Sequence, residues 1–201
     1  MSVLSCDLNY PYSEWSDLLG SVCYITGCNG TLEGGLGQYL LTLTGSVYGV
    51  ELSAIFLRQP ITEQIKLLLD TLRRAEREAS LVVANSYGAF LTLLAMSDTS
   101  PLDTKIILLS PVLGRTITPT GIFKPPLANR LTERLKQGRI RARRLEIHVG
   151  ERDELFSVDL VKLVSRYAKA DTLRIYEGAG HNLSIDVVRA AVGRHVSDEG
   201  R

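Results

Sequence analysis

Three polar residues stand where a chain could do nucleophilic and acid–base chemistry: Ser86, Asp153 and His181. Each follows an apolar run rich in β-branched residues, and their order along the chain is Ser, Asp, His. A serine hydroxyl is a weak nucleophile until a base takes its proton. An imidazole serves as that base best when a carboxylate fixes its tautomer and stabilises its charge. Ser86 lies in the stretch Leu81-Val82-Val83-Ala84-Asn85-Ser86-Tyr87-Gly88-Ala89-Phe90. There a buried run gives way to a polar turn, then to apolar residues at helical spacing. A serine on such a strand–turn–helix has its hydroxyl pushed out at the end of a sheet, beside the first N–H groups of a helix. Ala84 and Gly88, small residues two before and two after it, let strand and helix pack closely. Taken alone, a serine at such a place is most often a turn former or a helix cap.

Asp153 ends Gly150-Glu151-Arg152-Asp153, where Glu151 and Glu154 are rivals for the role of the acid and a turn or helix-start role is also open. His181 sits in Gly178-Ala179-Gly180-His181-Asn182, a glycine-rich loop after a strand. Of the other two histidines, His148 lies within a strand and His195 near a helix end, and both read as packed or solvated side chains.

The elements that must position these residues are legible. Strands are predicted at Ser21–Thr26, Ser46–Leu52, around Leu81–Ala84, at Lys105–Leu109, Arg144–Val149 and Thr172–Tyr176. Helices are predicted at Leu36–Leu43, Thr62–Ala79, from Ala89 onward, at Leu127–Gln137, Ser157–Ala168 and Ile185–Val196. Ser53–Pro60 reads as a loop, and Pro11 to Trp15 as an arm or short edge element. Strands that are apolar runs and alternate with helices imply an α/β fold. The expectation is a three-layer α/β/α sandwich around a mainly parallel sheet of about six or seven strands. In such sheets a ligand sits at the carboxyl ends of the strands.

The 201 residues are read as one domain, 1–201, with a short cap-like insertion at about 111–142. Twenty-three basic against 22 acidic side chains give a net charge of +1, which argues against bulk binding to nucleic acid or a membrane surface. No apolar run has the length of a membrane span, and the first residues lack the features of a secretion signal, so a cytoplasmic location is expected. Cys6, Cys23 and Cys28 have no spacing that suits a metal site and read as reduced thiols. Cys28 as a nucleophile lacks an adjacent partner.

On Asn85-Ser86-Tyr87-Gly88, Gly150-Glu151-Arg152-Asp153 and Gly178-Ala179-Gly180-His181-Asn182, the chain resembles the α/β-hydrolase superfamily, particularly its small, nearly cap-less members. The resemblance covers about residues 21–196. Thr26-Gly27-Cys28-Asn29-Gly30 is similar to the family's His-Gly-x-x-Gly oxyanion loop, with threonine where histidine is common, and Ala84 replaces the usual glycine. About two opening strands of the usual eight are missing, or one survives within residues 1–12. The resemblance implies a catalytic triad of Ser86, Asp153 and His181, and an oxyanion hole from the backbone N–H groups of Cys28 and Tyr87, with Asn29 and Phe123 as substrate-binding positions. It implies cleavage of a carboxylic ester or thioester through an acyl-enzyme. No metal or organic cofactor is needed, the partner is a small acyl substrate, and the protein is a monomer or homodimer. An amidase or acyltransferase would use the same triad. A catalytically silent binding protein on this fold is a second reading. A doubly wound nucleotide-binding protein is a third, but Gly27-Cys28-Asn29-Gly30 lacks the required glycine spacing.

Within the insertion, Ile117, Ile122, Phe123 and Leu127 are candidates for an acyl pocket, or simply pack the segment onto the body. Arg130 to Arg144 holds seven basic residues and one acid, Glu133. This is a solvated face or an anion-binding patch, and Arg139, Arg141 and Arg143 are candidates to hold an anionic head group beside the acyl chain.

Overall fold

The computed structural model of the protein describes residues 21–99, 101–113, 116–118, 121–123, 125–155 and 158–197. The arm expected at Pro11–Trp15, any strand within residues 1–12, and Cys6 lie outside the described residues. The order of elements is β1 (Ser21–Cys28), α1 (Gly35–Thr44), β2 (Val47–Leu52), α2 (Ala54–Leu57), α3 (Ile61–Glu78), β3 (Ala79–Asn85), α4 (Ser86–Met96) and β4 (Leu102–Leu109). Then come β5 (Thr116–Thr118), β6 (Gly121–Phe123), α5 (Ala128–Lys136), β7 (Ala142–Gly150), α6 (Val158–Tyr167), β8 (Thr172–Tyr176) and α7 (Ile185–Ser197).

Six strands form one all-parallel sheet in the order β2-β1-β3-β4-β7-β8. The strand order first runs outward from β1 to β2 and then returns past β1 to β3. This reversal creates a switch point at the carboxyl ends of β1 and β3, the place where parallel sheets receive ligands.

Side chains alternate across each strand and feed two cores. On one face Cys23, Ile25, Val82, Ala84, Ile106, Leu108, Leu145 and Ile147 pack with residues of α3, α4, α5 and α6. On the other Val22, Tyr24, Leu81, Val83, Ile107 and Leu109 pack with Leu40 of α1 and with Val188, Ala191 and Val192 of α7. Helices therefore cover both faces, and the architecture is the three-layer α/β/α arrangement expected from the strand and helix alternation. Helix α4 is buried from Tyr87 to Met96, so it is apolar all round rather than amphipathic.

Two segments depart from the sequence reading. Within the expected loop Ser53–Pro60 lies the one-turn helix α2, whose start Ser53 caps by accepting the Phe56 N–H at 3.2 Å. The region after β4 contains a small antiparallel hairpin, β5 with β6. Its three-residue strands are too short for a period-2 pattern to stand out from the surrounding prolines and glycines. The side chains of Ile117, Ile122 and Phe123 lie outside the described residues. Leu127 packs, partly buried, against the core under α3–α6, the packing alternative for that residue.

Candidate active site

Strand β3 delivers Ser86 to the carboxyl edge of the sheet and α4 carries the chain away from it. The turn between them is sharp. Ser86 has φ 54°, the left-handed region that non-glycine residues rarely occupy. The helix then passes so close to β1 that a Cβ on Gly88 would lie 2.1 Å from the Thr26 carbonyl oxygen. Only glycine fits there. Ala84, by contrast, is extended within β3 and fully buried between its cross-strand neighbours Ile25 and Leu108, so this position needs a small side chain but not glycine's freedom.

Ser86 Oγ lies 2.8 Å from His181 Nε2. His181 Nδ1 lies 2.9 Å from both Asp153 Oδ1 and Asp153 Oδ2. The Asp153 side chain is fully buried and the His181 ring is 14% exposed. Oδ1 of Asp153 also accepts the Leu155 N–H at 2.8 Å, which fixes the carboxylate plane. With Asp153 accepting from Nδ1–H, Nε2 is left as the basic nitrogen facing the serine. The three residues singled out from the sequence are thus one hydrogen-bonded relay, although 95 residues separate Ser86 from His181.

The rival acids sit elsewhere. Glu151 is exposed and its Oε2 accepts the Gly178 N–H at 3.0 Å; Glu154 is exposed. The turn after β7 and the loop after β8 are clamped together. Arg152 N–H donates to Ala179 O at 2.8 Å and Glu151 N–H to Tyr176 O at 2.9 Å. A Cβ on Gly150 would lie 2.3 Å from both the Ala179 and Gly180 carbonyl oxygens. The absence of a side chain at Gly150 is what lets the acid turn approach the histidine loop.

The loop after β1 faces the serine from the other side. A Cβ on Gly27 would lie 3.1 Å from Ser86 Cβ. Gly30 N–H donates to Gly27 O at 3.0 Å, closing a turn with Asn29 at φ 57°. That conformation favours glycine or asparagine, so Asn29 is explained by the turn, and its side chain is exposed. The Leu52 carbonyl accepts from Asn29 N–H at 2.8 Å and the Leu52 N–H donates to Thr26 Oγ1 at 2.9 Å. Strand β2 therefore draws on the residues flanking Cys28. Thr26 is fully buried, and its hydroxyl lies 3.0 Å and 3.2 Å from the Gly27 and Gly30 carbonyls. Threonine at this position thus ties the loop together from inside, a role the sequence comparison with histidine did not suggest. Tyr87 is buried at the start of α4, with its ring stacked on Phe90. The Cys28 thiol is at the surface, yet the protein around it desolvates it enough to raise its pKa, which disfavours the thiolate a cysteine nucleophile needs.

His148 and His195 are both buried and both belong to a second polar cluster, under α7. Glu146 on β7 receives Arg194 Nη2 at 3.1 Å and His148 Nε2 at 3.2 Å on one oxygen, with His195 Nε2 at 3.0 Å and Arg144 Nε at 3.1 Å beside the other. His148 Nδ1 bonds Tyr176 Oη at 2.8 Å. The sequence did carry a signal: Glu146 and His148 alternate with Leu145, Ile147 and Val149, placing two polar groups on one face of a buried strand. No cluster of three or more His, Cys, Asp or Glu side chains suited to a metal is present among the described residues.

The basic stretch falls far from the serine, which removes the alternative that Arg139, Arg141 and Arg143 hold a head group beside an acyl chain at Ser86. Arg139 and Arg141 precede the start of β7, and Arg143 is its second residue, whereas Gly150 at its end adjoins the relay. Eight residue steps of strand separate Ala142 from Gly150, about 26 Å at roughly 3.3 Å per residue.

No helix among the described residues is long and apolar enough to cross a membrane. Neither a protein-family profile nor a curated protein sequence matches the chain. Solved structures do. A monoacylglycerol lipase of Paleococcus ferrophilus superposes with a TM-score of 0.66 at 14% identity, over 98% of this chain and 99% of the lipase. Est1E of Butyrivibrio proteoclasticus gives 0.61 at 14% identity, over 90% and 88% of the two chains. An esterase of Pyrococcus furiosus gives 0.60 at 15% identity, over 92% and 84%. The fold of this chain is the α/β-hydrolase fold.

Proposed function

We propose that this protein is a serine hydrolase that cleaves a carboxylic ester or thioester through an acyl-enzyme. One observation carries the reading: the continuous relay from Ser86 Oγ through His181 Nε2 and Nδ1 to a buried Asp153 carboxylate, at 2.8 and 2.9 Å. In this mechanism Ser86 Oγ attacks the carbonyl carbon as His181 Nε2 takes its proton, and Asp153 orients the ring and stabilises the imidazolium. The carbonyl oxygen becomes an oxyanion, held by the N–H groups of Tyr87 and Cys28. Each such donor contributes about 3 kcal/mol to the transition state. Collapse of the tetrahedral intermediate breaks the bond to the leaving oxygen or sulfur, which takes the proton from Nε2. Water, activated by the same nitrogen, then attacks the acyl-enzyme, and Ser86 recovers its proton. Asn29 and Phe123 are the positions assigned to substrate binding in this reading. Ester cleavage is favoured over other acyl transfers because the structurally similar proteins include a monoacylglycerol lipase and an esterase.

Labelling by a fluorophosphonate probe, together with turnover of a series of p-nitrophenyl esters of increasing chain length, tests the proposal. Ser86→Ala is expected to abolish both while leaving the melting temperature nearly unchanged, because the side chain is small and only half-buried. A wild-type protein that neither labels nor hydrolyses any ester of the series overturns the reading in favour of a silent binding protein.

A further inference from the structure

At the edge of the sheet opposite Ser86, a cleft of about 520 Å³ opens between the side of α3 and the C-terminal ends of α4 and α5. Its walls are Arg73 of α3, Asp98 and Thr99 just beyond α4, Pro101 before β4, and Gly138, Arg139 and Arg141 in the connection from α5 to β7. Three arginines therefore line one concavity with a single acidic residue, Asp98, whose carboxylate is already engaged. Arg130 Nη2 lies 2.7 Å from each oxygen of Asp98.

Arginines at helix C-termini commonly serve the orphan carbonyls there. Here backbone N–H groups do that work. Asp98 N–H donates to Ala95 O, Thr99 N–H to Met96 O, Gly138 N–H to Leu135 O and Arg139 N–H to Arg134 O, at 2.8–3.3 Å. The guanidiniums of Arg73 and Arg139 have no hydrogen-bond or ion-pair partner among the described residues. Arg141 is held in place, its Nε donating to Gly138 O at 3.2 Å. A side chain at Gly138 would crowd it, since a Cβ there would lie 3.3 Å from Arg141 Nη2. One guanidinium is thus pre-oriented, and two more stand ready at exposed positions.

We propose that this cleft is an anion site for a small molecule carrying several phosphate charges, separate from the relay at Ser86. Planar guanidinium forks match phosphate oxygens pairwise, which makes several converging arginines a phosphate-type rather than a single-carboxylate site. The volume is that of a small-molecule pocket. A nucleic acid or membrane surface would need a basic field spread over many contacts, whereas the chain as a whole carries a net charge of only +1. Occupancy would tie α3, at Arg73, to the segments that follow α4 and α5, and so raise the melting temperature without involving Ser86.

Calorimetric titration and thermal melting with sodium tripolyphosphate test this, against sodium chloride of matched ionic strength. Saturable binding and a raised melting temperature are expected, both retained by Ser86→Ala. The double variant Arg73→Gln/Arg139→Gln, which removes two unpartnered side chains, should weaken binding at least about tenfold, given that each charge-assisted contact is among the stronger hydrogen bonds. Arg166→Glu, an exposed charge reversal on α6, should leave binding unchanged. If the double variant melts lower without ligand, Gly138→Ala is the second test, and weaker binding with an unaltered ester rate is expected. Equal affinity in wild type and in the cleft variants, equal loss in Arg166→Glu, or tighter capture of a short single-stranded oligonucleotide through the same arginines would overturn the proposal.

Discussion

Gly150→Ala tests whether the close approach of two loops is what builds the relay. The new Cβ would lie 2.3 Å from the Ala179 and Gly180 carbonyl oxygens and 2.6 Å from the Ala179 carbonyl carbon. Carbon–oxygen contacts between backbone segments settle near roughly 3.3 Å, so the loops must part by about 1 Å. Both obstacles are backbone, so no rotamer change relieves the clash. A separation of about 1 Å would stretch the bond from Arg152 N–H to Ala179 O, now 2.8 Å, past hydrogen-bonding range. It would also carry His181, the residue after Gly180, away from Asp153. A misplacement of that size costs about 100-fold in turnover. Overpacking and one lost hydrogen bond together cost about 2–4 kcal/mol of stability, or about 5–15 °C in melting temperature for a chain of this size. The assay is ester hydrolysis at 25 °C on protein whose far-ultraviolet circular dichroism matches wild type, with the rate of fluorophosphonate labelling measured in parallel. We expect kcat to fall about 100-fold with KM little changed, and labelling to slow in proportion. A folded variant with kcat within about threefold of wild type would show that the loops part without disturbing the pair, and the steric account would fail.

Three further outcomes follow from particular contacts. Asp153→Asn keeps the shape of the buried side chain but not the charge, and should lower kcat by about 1,000- to 10,000-fold; retention of a tenth of the activity would point to another acid. Thr26→Val leaves the Leu52 N–H without its acceptor in a buried position and should cost about 1–3 kcal/mol in urea unfolding, so an unchanged midpoint would remove Thr26 from the structural role described here. Burial pushes His148 down to about 4, against the pull of Glu146. Burial would by itself raise the Glu146 carboxyl, but the bonded Arg194, with His195 and His148, holds it below the ordinary carboxylate range. As pH falls below about 6.5 the unfolded chain binds a proton at His148 that the folded chain refuses, so stability declines toward pH 4. The Glu146 contribution is lost in the same direction, below about 4.5. Between pH 7.5 and 5 the His148 part amounts to about 2 kcal/mol, and His148→Gln should flatten that slope in urea melts; an equal slope in both proteins would exclude His148 as its source.

Much of this molecule is determined by local sequence. The run Leu81–Ala84 followed by Asn85, Ser86, Tyr87 and Gly88 specifies strand, turn and helix from the apolar run and the turn residues that end it. Local sequence likewise specifies the strand from Thr172 to Tyr176 and the amphipathic helix α3. Parallel pairing follows because apolar strands separated by helices have no hairpin to join them. The serine, the aspartate and the histidine are legible for the same reason: each occupies the first turn or loop after a strand, and parallel strands end on one edge. Tertiary structure alone decided the rest. Whether Asp153, Glu151 or Glu154 faces His181 depends on a turn packed against another loop, and residues so few positions apart differ only in direction. That Gly150 is a steric necessity depends on carbonyls at Ala179 and Gly180. The basic stretch shows the limit most plainly. Composition reveals that arginines are concentrated before β7, but only the direction of that strand places them at the far edge, about 26 Å of strand away from Gly150 beside the relay. A chain's local pattern encodes which residues form a strand and which face they present, while the neighbours of each strand end are fixed by contacts between residues distant in sequence.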